Sequence, residues 1–240
     1  YGTRGFQTRV LKGIDLTIYQ NDFIAIMGPS GSGKTTLLNI LSTIDKPTQG
    51  MVLLDGKDIT KMKNKELSKL RRDKIGFIFQ DYNLLDTMTL QDNIALPLSL
   101  NGVSSQVCIA KSENLASIFG LKEHLKKYPY QLSGGQKQRG ATCRALISEP
   151  EILFADEPTG ALDSRSSRDL LERLKMINDE GKATILMVTH DAFAASYADK
   201  VIALKDGIVF GELVRHGQPR DFLDELLDFT RKVNGDGYDA

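Results

Sequence analysis

The 240-residue chain has no tryptophan, only two cysteines and no excess of charge of either sign. Lys and Arg together number 31, as do Asp and Glu, so the formal net charge is zero. A general binder of nucleic acid or of anionic membranes usually carries a basic excess, and this composition argues against both classes. Cys108 and Cys143 lack the C-x-x-C spacing of metal and redox sites, so we expect two reduced, semi-buried thiols.

The sequence also lacks a long apolar run. No run approaches the roughly 18 residues that a membrane-spanning helix needs, and no secretory leader is visible. We therefore expect a soluble chain. Its 41% of hydrophobic residues is enough to build one large domain or two small ones.

What the chain does have is a glycine-rich stretch between an apolar run and a helix-like run. Residues 28–35 read GPSGSGKT and fit the phosphate-loop pattern G-x-x-x-x-G-K-[ST] at every fixed position. The glycines permit backbone angles that let successive N–H groups point at one anion. Lys34 can bring a full charge to the β- and γ-phosphates, and the Thr35 hydroxyl suits Mg²⁺. The predicted phosphate-binding residues are Gly28, Pro29, Ser30, Gly31, Ser32, Gly33, Lys34, Thr35 and Thr36.

Apolar patterns around this loop predict an α/β fold. Buried strands are predicted at 22–27, 75–79, 152–157 and 183–188, a half-exposed strand at 10–18, a short strand at 51–54, and a hairpin from 200–205 and 208–213. Helices are predicted from 34 to Asp45-Lys46-Pro47, over the charged residues 61–74, after Ser133 to 147, and from Ser164 to just before Gly181.

Residues 84–130 contain no strand-like run. Their apolar residues recur at helical spacing, which predicts a helical insertion of roughly 50 residues within the α/β fold. The residues that carry this spacing are Leu90, Ile94, Leu98, Ile109, Leu115 and Ile118. A later stripe, Phe222, Leu226, Phe229 and Val233, predicts a C-terminal helix that packs on the same domain, with a partner surface as the alternative.

Polar residues follow three of the predicted strands. Gln80, the pair Asp156-Glu157 and His190 stand where parallel strands end, which is where ligands bind in open α/β sheets. Neighbouring side chains on a strand point in opposite directions, so Asp156 suits a magnesium site and Glu157 suits a general base for water. Taken alone, Gln80 could equally begin a surface loop, and His190 could be a structural histidine.

A second glycine pair precedes a helix at Leu132-Ser133-Gly134-Gly135-Gln136. Ser133 can cap that helix, and the glycines expose N–H groups of its first turn, which makes a second anion cradle. Taken alone, a flexible hinge would be the more ordinary interpretation of these residues.

Together and in this order, the features resemble the ATP-binding subunit of ABC transporters over nearly the whole chain. The matching segments are the phosphate loop at 28–35, Gln80 of the Q-loop, the LSGGQ sequence at 132–136, ILFADE at 152–157, Ala161-Leu162-Asp163 of the D-loop and the switch histidine His190. The resemblance implies a P-loop NTPase of the ABC type, with a RecA-like core at about 1–83 and 140–215, an antiparallel β subdomain, a helical subdomain at about 84–139 and an acidic helical tail at 216–240.

The resemblance also implies roles for the residues. Catalysis would fall to Glu157, His190, Lys34 and Gln80, and Mg²⁺ would be held by Thr35, Gln80 and Asp156. Besides the phosphate loop, ATP would contact Tyr1 through adenine stacking, and Ser133, Gly134, Gly135, Gln136 and Asp163. Two copies would pair head to tail around ATP, and a membrane permease would dock near Gln80 to Leu85 at the cytoplasmic face of a bacterial plasma membrane.

Within the family, the phosphate-loop region is most similar to macrolide exporters, lipoprotein-release ATPases and bacitracin-type peptide-resistance exporters, and the acidic tail favours the last. One alternative is an ATPase that pulls on a cell-envelope partner without moving a substrate. Another is a soluble ABC ATPase that acts on DNA or ribosomes, which the missing basic patch argues against. One departure, Gly140-Ala141-Thr142-Cys143, raises the question of how stiff the helix after LSGGQ is.

Overall fold

The computed structural model describes residues 9–235, and its centre is a six-stranded sheet with the order β4-β5-β6-β1-β7-β8. The strands are β1 (Phe23–Met27), β2 (Leu53–Leu54), β3 (Lys57–Asp58), β4 (Ile75–Ile78), β5 (Ile152–Asp156), β6 (Thr184–Val188), β7 (Lys200–Lys205) and β8 (Ile208–Val214). The first five strands of the sheet order are parallel, β8 is antiparallel to β7, and β2 and β3 form a separate antiparallel ribbon. The predicted buried strands and the closing hairpin are therefore confirmed.

Helices cover both faces of this sheet. They are α1 (Lys34–Leu41), α2 (Asn64–Lys74), α3 (Leu90–Leu100), α4 (Ser105–Ile118), α5 (Gly134–Leu146), α6 (Ser164–Asp179), α7 (Ala192–Ala195) and α8 (Pro219–Asn234). Alternate residues of β1 enter two cores: Phe23 and Ala25 pack with α3 to α8, while Ile24 and Ile26 pack with α1. Burial on both faces explains why this strand reads as a continuous apolar run.

The parallel strands bring the predicted polar residues to one edge. The phosphate loop follows β1, Gln80 follows β4, Asp156 and Glu157 close β5, and His190 follows β6. Because β4, β5, β6 and β1 are parallel neighbours, their carboxyl ends lie side by side. The sheet thus places these side chains at the edge where open α/β folds bind ligands.

The segment between β4 and β5 is helical, as predicted. Its part before α5, which is the predicted range 84–130, contains α3, α4 and two 3₁₀ turns, at Lys122–His124 and Pro129–Gln131. Leu90, Ile94 and Leu98 are buried, whereas Ile109 lies in α4 as predicted but is 48% exposed. The small residues of α4, namely Cys108, Ser112 and Ala116, are buried instead. Their small size allows α4 to approach α3 closely, so the buried face is not marked by large apolar residues.

Helix α5 is continuous across Gly140, which answers the question that the sequence raised about its stiffness. A Cβ at Gly140 would lie 2.5 Å from Cδ1 of Leu90 on α3. The glycine therefore serves close packing of α3 against α5. The helix also passes without a break through the predicted subdomain boundary at 139, and the domain boundaries themselves stay a prediction.

Two predictions near the N-terminus were wrong. Residues 10–18 form no strand, although their apolar side chains pack against the core on the α1 side. Helix α1 ends at Leu41, four residues before Asp45, because Thr43 adopts a left-handed conformation with φ 64°. Arg71 of α2 donates to the carbonyl oxygen of Thr43 at 3.0 Å and so fixes this early end.

The C-terminal helix packs on the domain, as expected. Phe222, Leu226 and Val233 are buried, and the ring of Phe229 lies near Phe210 of β8, with a centroid distance of 6.5 Å. The two cysteines are free, as expected, but both are buried and not semi-buried. Among residues 9–235, no helix combines the length and the apolar character that crossing a membrane requires.

Candidate functional site

The phosphate loop has a backbone that only glycine fits. Gly28 has φ 148°, and a Cβ there would lie 2.0 Å from the carbonyl oxygen of Leu204. Gly33 has φ 100°, and its Cβ would lie 2.8 Å from Cδ2 of Leu11. Gly33 is also the N-cap of α1 and makes no side-chain cap, so the N–H groups of the first turn face the loop. These features make a cradle for an anion at a helix N-terminus.

Two polar side chains of this cradle fit a phosphate. The Lys34 ammonium donates to the carbonyl oxygens of Gly28 at 2.8 Å and Pro29 at 3.0 Å, directly above the loop. Burial lowers the pKa of Lys34, and the charges of Glu157 and Asp156 partly oppose this. The buried Ser32 hydroxyl finds no partner among residues 9–235, and a phosphate oxygen would satisfy it.

Asp156 and Thr35 form a pair beside the lysine. The Thr35 hydroxyl donates to Oδ1 of Asp156 at 3.5 Å. Burial, and then the charge of Glu157, raise the pKa of Asp156, while Thr35 and Lys34 act in the opposite direction. One carboxylate and one hydroxyl beside a phosphate cradle are the donor set that Mg²⁺ uses with nucleotides, in which phosphate oxygens and waters complete the shell.

Glu157 is held rigidly in the next position. Its backbone is left-handed, with φ 46°, and its N–H donates to the Val188 carbonyl oxygen at 2.9 Å. Its carboxylate accepts from the Thr189 hydroxyl at 3.2 Å and from the His190 N–H at 3.4 Å, and its Oε1 lies 2.8 Å from Nδ1 of His190. The Glu157 side chain is 13% exposed and that of His190 is 72% exposed. The arrangement orients one carboxylate at the sheet edge with an exposed imidazole beside it.

Gln80 lies close to the segment that follows Glu157. A Cβ at Gly160 would lie 3.7 Å from Nε2 of Gln80 and 3.4 Å from the Glu157 carbonyl oxygen. The glutamine is exposed. It therefore stands at the same sheet edge as the carboxylates, with its amide free to turn.

The LSGGQ sequence forms the N-terminus of α5. The Ser133 hydroxyl accepts from the Gln136 N–H at 3.3 Å, and the Ser133 N–H donates to Oε1 of Gln136 at 2.9 Å. The two glycines lie against neighbouring groups, since a Cβ at Gly134 would be 3.1 Å from the Tyr82 hydroxyl and one at Gly135 would be 3.0 Å from Oγ of Ser166. The predicted cap is thus present.

Asp163 caps the neighbouring helix α6. Its carboxylate accepts from the Ser166 hydroxyl at 2.7 Å and from the N–H groups of Arg165 and Ser166 at 3.0 Å, and the Ser166 hydroxyl contributes most to lowering the pKa of Asp163. Since Ser166 also lies against Gly135, Asp163 and LSGGQ are neighbours in one subunit.

The structure thus brings the predicted residues together in two groups. Loop 28–36, Gln80, Asp156, Glu157 and His190 form one, and 133–136 with Asp163 form the other. None of the hydrogen bonds within residues 9–235 joins loop 28–36 to 133–136. Tyr1 lies outside the described residues.

Sequence reasoning missed two residues of these groups. Thr189 binds Glu157, and its position directly before His190 at a strand end was a usable signal. Ser166 binds Asp163 and gave no signal, because a serine in the first turn of a helix is ordinary.

A family described as ABC transporter matches residues 11–160. The chain belongs to the ABC transporter family. It is 50% identical over 235 residues to a bacitracin export ATP-binding protein of Halalkalibacterium halodurans, which covers 98% of this chain and 93% of the relative. It is 46% identical over 202 residues to a macrolide export ATP-binding/permease protein of Syntrophobacter fumaroxidans, which covers 83% of this chain but 28% of the relative.

Solved structures of ABC proteins have the same fold as this chain. A dimeric bacterial ABC transporter cassette, MJ0796, is 40% identical with a TM-score of 0.85, and covers 90% of this chain and 95% of that one. A second dimeric structure of the same cassette, in a post-hydrolysis state bound to ADP and Pi, has a TM-score of 0.84 at the same identity and coverage. This ABC protein is therefore an ATP-binding ATPase with the cassette fold.

Proposed function

We propose that this ABC ATPase drives a membrane permease that exports antimicrobial peptides of the bacitracin type or confers resistance to them. The support for the substrate class is the 50% identity, over nearly the full length of both chains, to the bacitracin export ATP-binding protein. The support for ATP as the fuel is the phosphate cradle, with its glycine backbone and its half-buried lysine.

Glu157 is the proposed general base. Its carboxylate takes a proton from a water molecule as the water oxygen attacks the γ-phosphorus, and the bond to the leaving ADP oxygen breaks on the opposite side. The single observation that carries this proposal is the fixed orientation of Glu157, held by Thr189 and by the backbone and ring of His190 next to the lysine of the loop.

Other residues stabilise charge or hold the substrate. Lys34 and the N–H groups of loop 28–36 bind the β- and γ-phosphates, and His190 contacts the γ-phosphate. Thr35, Gln80 and Asp156 would hold Mg²⁺, which when bound neutralises charge on the phosphate oxygens. Tyr1 would stack on adenine.

A second copy of the chain completes the site. We infer a head-to-tail homodimer in which Ser133, Gly134, Gly135 and Gln136 of one copy cover the ATP on loop 28–36 of the other, with Asp163 at the junction. The dimeric state of the MJ0796 cassette supports pairing. The permease would dock near Gln80 to Leu85, which makes the subunit peripheral at the cytoplasmic face of a bacterial plasma membrane.

Substitution of Glu157 by glutamine tests the mechanism. We expect Glu157→Gln to bind ATP as the wild type does but to lose about 10²–10⁴-fold in turnover, because the amide cannot accept the proton. Phosphate release and ATP binding are measured on the purified chain with Mg²⁺. Glu180→Gln, the same change in the exposed turn after α6, is the control and should keep full activity. Unchanged turnover in Glu157→Gln would refute the assignment.

A further inference from the structure

The side chain of Gln136, the last residue of LSGGQ, has a fixed orientation. Its Oε1 accepts the Ser133 N–H at 2.9 Å, and that N–H can only donate. The Nε2 of the amide, which carries two hydrogens, must therefore point away from Ser133. There it meets Nε2 of His124 at 3.0 Å.

This contact fixes the tautomer of His124. Because the amide of Gln136 donates, Nε2 of His124 must present a lone pair, and the ring proton must reside on Nδ1. Nδ1 is buried and has no hydrogen-bond partner among residues 9–235. His124 is thus suited to one task, which is to accept from Gln136.

The segment that carries His124 is anchored on both sides. The His124 N–H donates to the Leu121 carbonyl oxygen at 2.8 Å within a 3₁₀ turn. The carbonyl oxygens of Leu125 and Lys127 accept the first N–H groups of α3, those of Gln91 at 2.9 Å and Leu90 at 2.8 Å. The turn therefore joins the start of α3 to the start of α5, and α3 follows the segment where we place the permease.

We propose that His124 is a positioning residue for the ATP-covering cradle, which acts by holding the Gln136 amide so that Ser133 stays capped. The proposal rests on the proposed function, in which 133–136 of one copy cover the ATP of the other. Loss of the acceptor at 124 loosens the first turn of α5 without touching loop 28–36. Loss of this acceptor should therefore weaken the pairing of the two copies and leave ATP binding to a single copy unchanged.

The test measures ATP-dependent pairing of the full chain. The parent is Glu157→Gln, which holds ATP without turnover, and the dimer is quantified by sedimentation velocity over a range of protein concentrations. We expect His124→Leu, which removes the acceptor, to weaken the dimer about tenfold, the effect of one well-placed hydrogen bond, while ATP affinity of the monomer is unchanged. His124→Gln, whose Oε1 can accept from Gln136, should restore the dimer to within about threefold of the parent. His216→Leu, at an exposed histidine between β8 and α8, is the control.

A second measurement determines the tautomer of the His124 ring directly. Nitrogen–proton correlation spectra of the histidine-labelled chain, assigned with the same variants, should show His124 as the neutral Nδ1–H tautomer at pH 7.5. A proton on Nε2, or a His124→Leu variant that pairs as well as the parent, would overturn the proposal. A parent that does not pair with ATP would instead count against the head-to-tail dimer, and the spectrum would still decide the role of His124.

Discussion

Asp156 is a carboxylate whose ionised form is disfavoured by its surroundings. Burial and the neighbouring Glu157 raise its pKa, and Thr35 and Lys34 compensate only in part. In the range between the ordinary and the raised pKa, the native state binds more protons than the unfolded state, so stability falls as the pH rises through that range. At neutral pH the ionised Asp156 therefore costs stability, a cost that a bound divalent cation would offset.

Substitution of Asp156 by asparagine should separate stability from activity. We expect Asp156→Asn to raise Tm at pH 7.5 without Mg²⁺ by roughly 2–4 °C, the response of a domain of this size to about 1 kcal/mol. Below the ordinary aspartate pKa of about 3.9 the gain should vanish, because both states are then protonated. ATP turnover should be lost at every pH. Thermal unfolding at several pH values checks this, with Asp224→Asn on α8 as the exposed control. A lower Tm at pH 7.5 would contradict the prediction.

The positions of the candidate site residues at strand ends were predictable, but the contacts that orient their side chains were not. Strand-end positions identify Asp156, Glu157 and His190, because strand pattern and chain order are local properties. The left-handed φ of Glu157 and its bond to Thr189 depend on β6 lying beside β5, which is a tertiary fact. The contact between Gln136 and His124 likewise joins two segments that no local pattern relates.

At the scale of secondary-structure elements, the packing of α3 against α5 depends on a glycine, which has no side chain, at position 140. Gly140 lies where Leu90 of α3 fills the space, and Leu90 is fully buried. Glycine costs helix stability of about 1 kcal/mol relative to alanine, so its presence within α5 requires a packing reason. Contact with Leu90 supplies that reason.

Enlarging Gly140 should therefore destabilise the fold. We expect Gly140→Val to lower the free energy of unfolding by about 1–3 kcal/mol, the usual cost of overpacking, even though valine has the higher helix propensity. Urea denaturation measures the change. Asn114→Val, at an exposed position of α4, is the control and should shift stability by less than about 0.5 kcal/mol. A stabilised Gly140→Val variant would show that Leu90 has room to move.

Elements that follow from a local sequence pattern were predicted, and features that depend on residues distant in the chain were not. Buried strands such as β1 follow from continuous apolar runs. Apolar and polar residues alternate in the segment 10–18 because its apolar side chains pack on the core. The segment forms no strand, since packing of side chains on a core does not require strand pairing of the backbone. The end of α1 depends on Arg71, which is 28 residues away from Thr43 in the chain.

At the scale of the whole molecule, the segment from Gln80 to Leu85 connects the nucleotide edge of the sheet to the helical insertion. Arg144 of α5 donates to the carbonyl oxygens of Tyr82, at 2.8 Å, and of Asn83. Asn93 accepts from the Leu85 N–H at 2.7 Å and donates to the Leu85 carbonyl oxygen at 3.0 Å. The backbone is thus fixed by hydrogen bonds, while Leu85 itself is 43% exposed. A fixed exposed apolar residue loses little entropy on binding, which suits a docking surface.

Placing a charge at Leu85 should weaken binding of the permease to the ATPase. We expect Leu85→Glu to reduce recovery of the membrane permease with the tagged chain, from detergent-solubilised membranes, by about tenfold, because a charged side chain would be desolvated in an apolar interface. Leu227→Glu on α8 changes a leucine of the same 43% exposure on another element and should recover the permease as the wild type does. Both variants should bind ATP normally, since neither residue touches loop 28–36. Equal permease recovery from the two variants would place the docking surface elsewhere on the molecule.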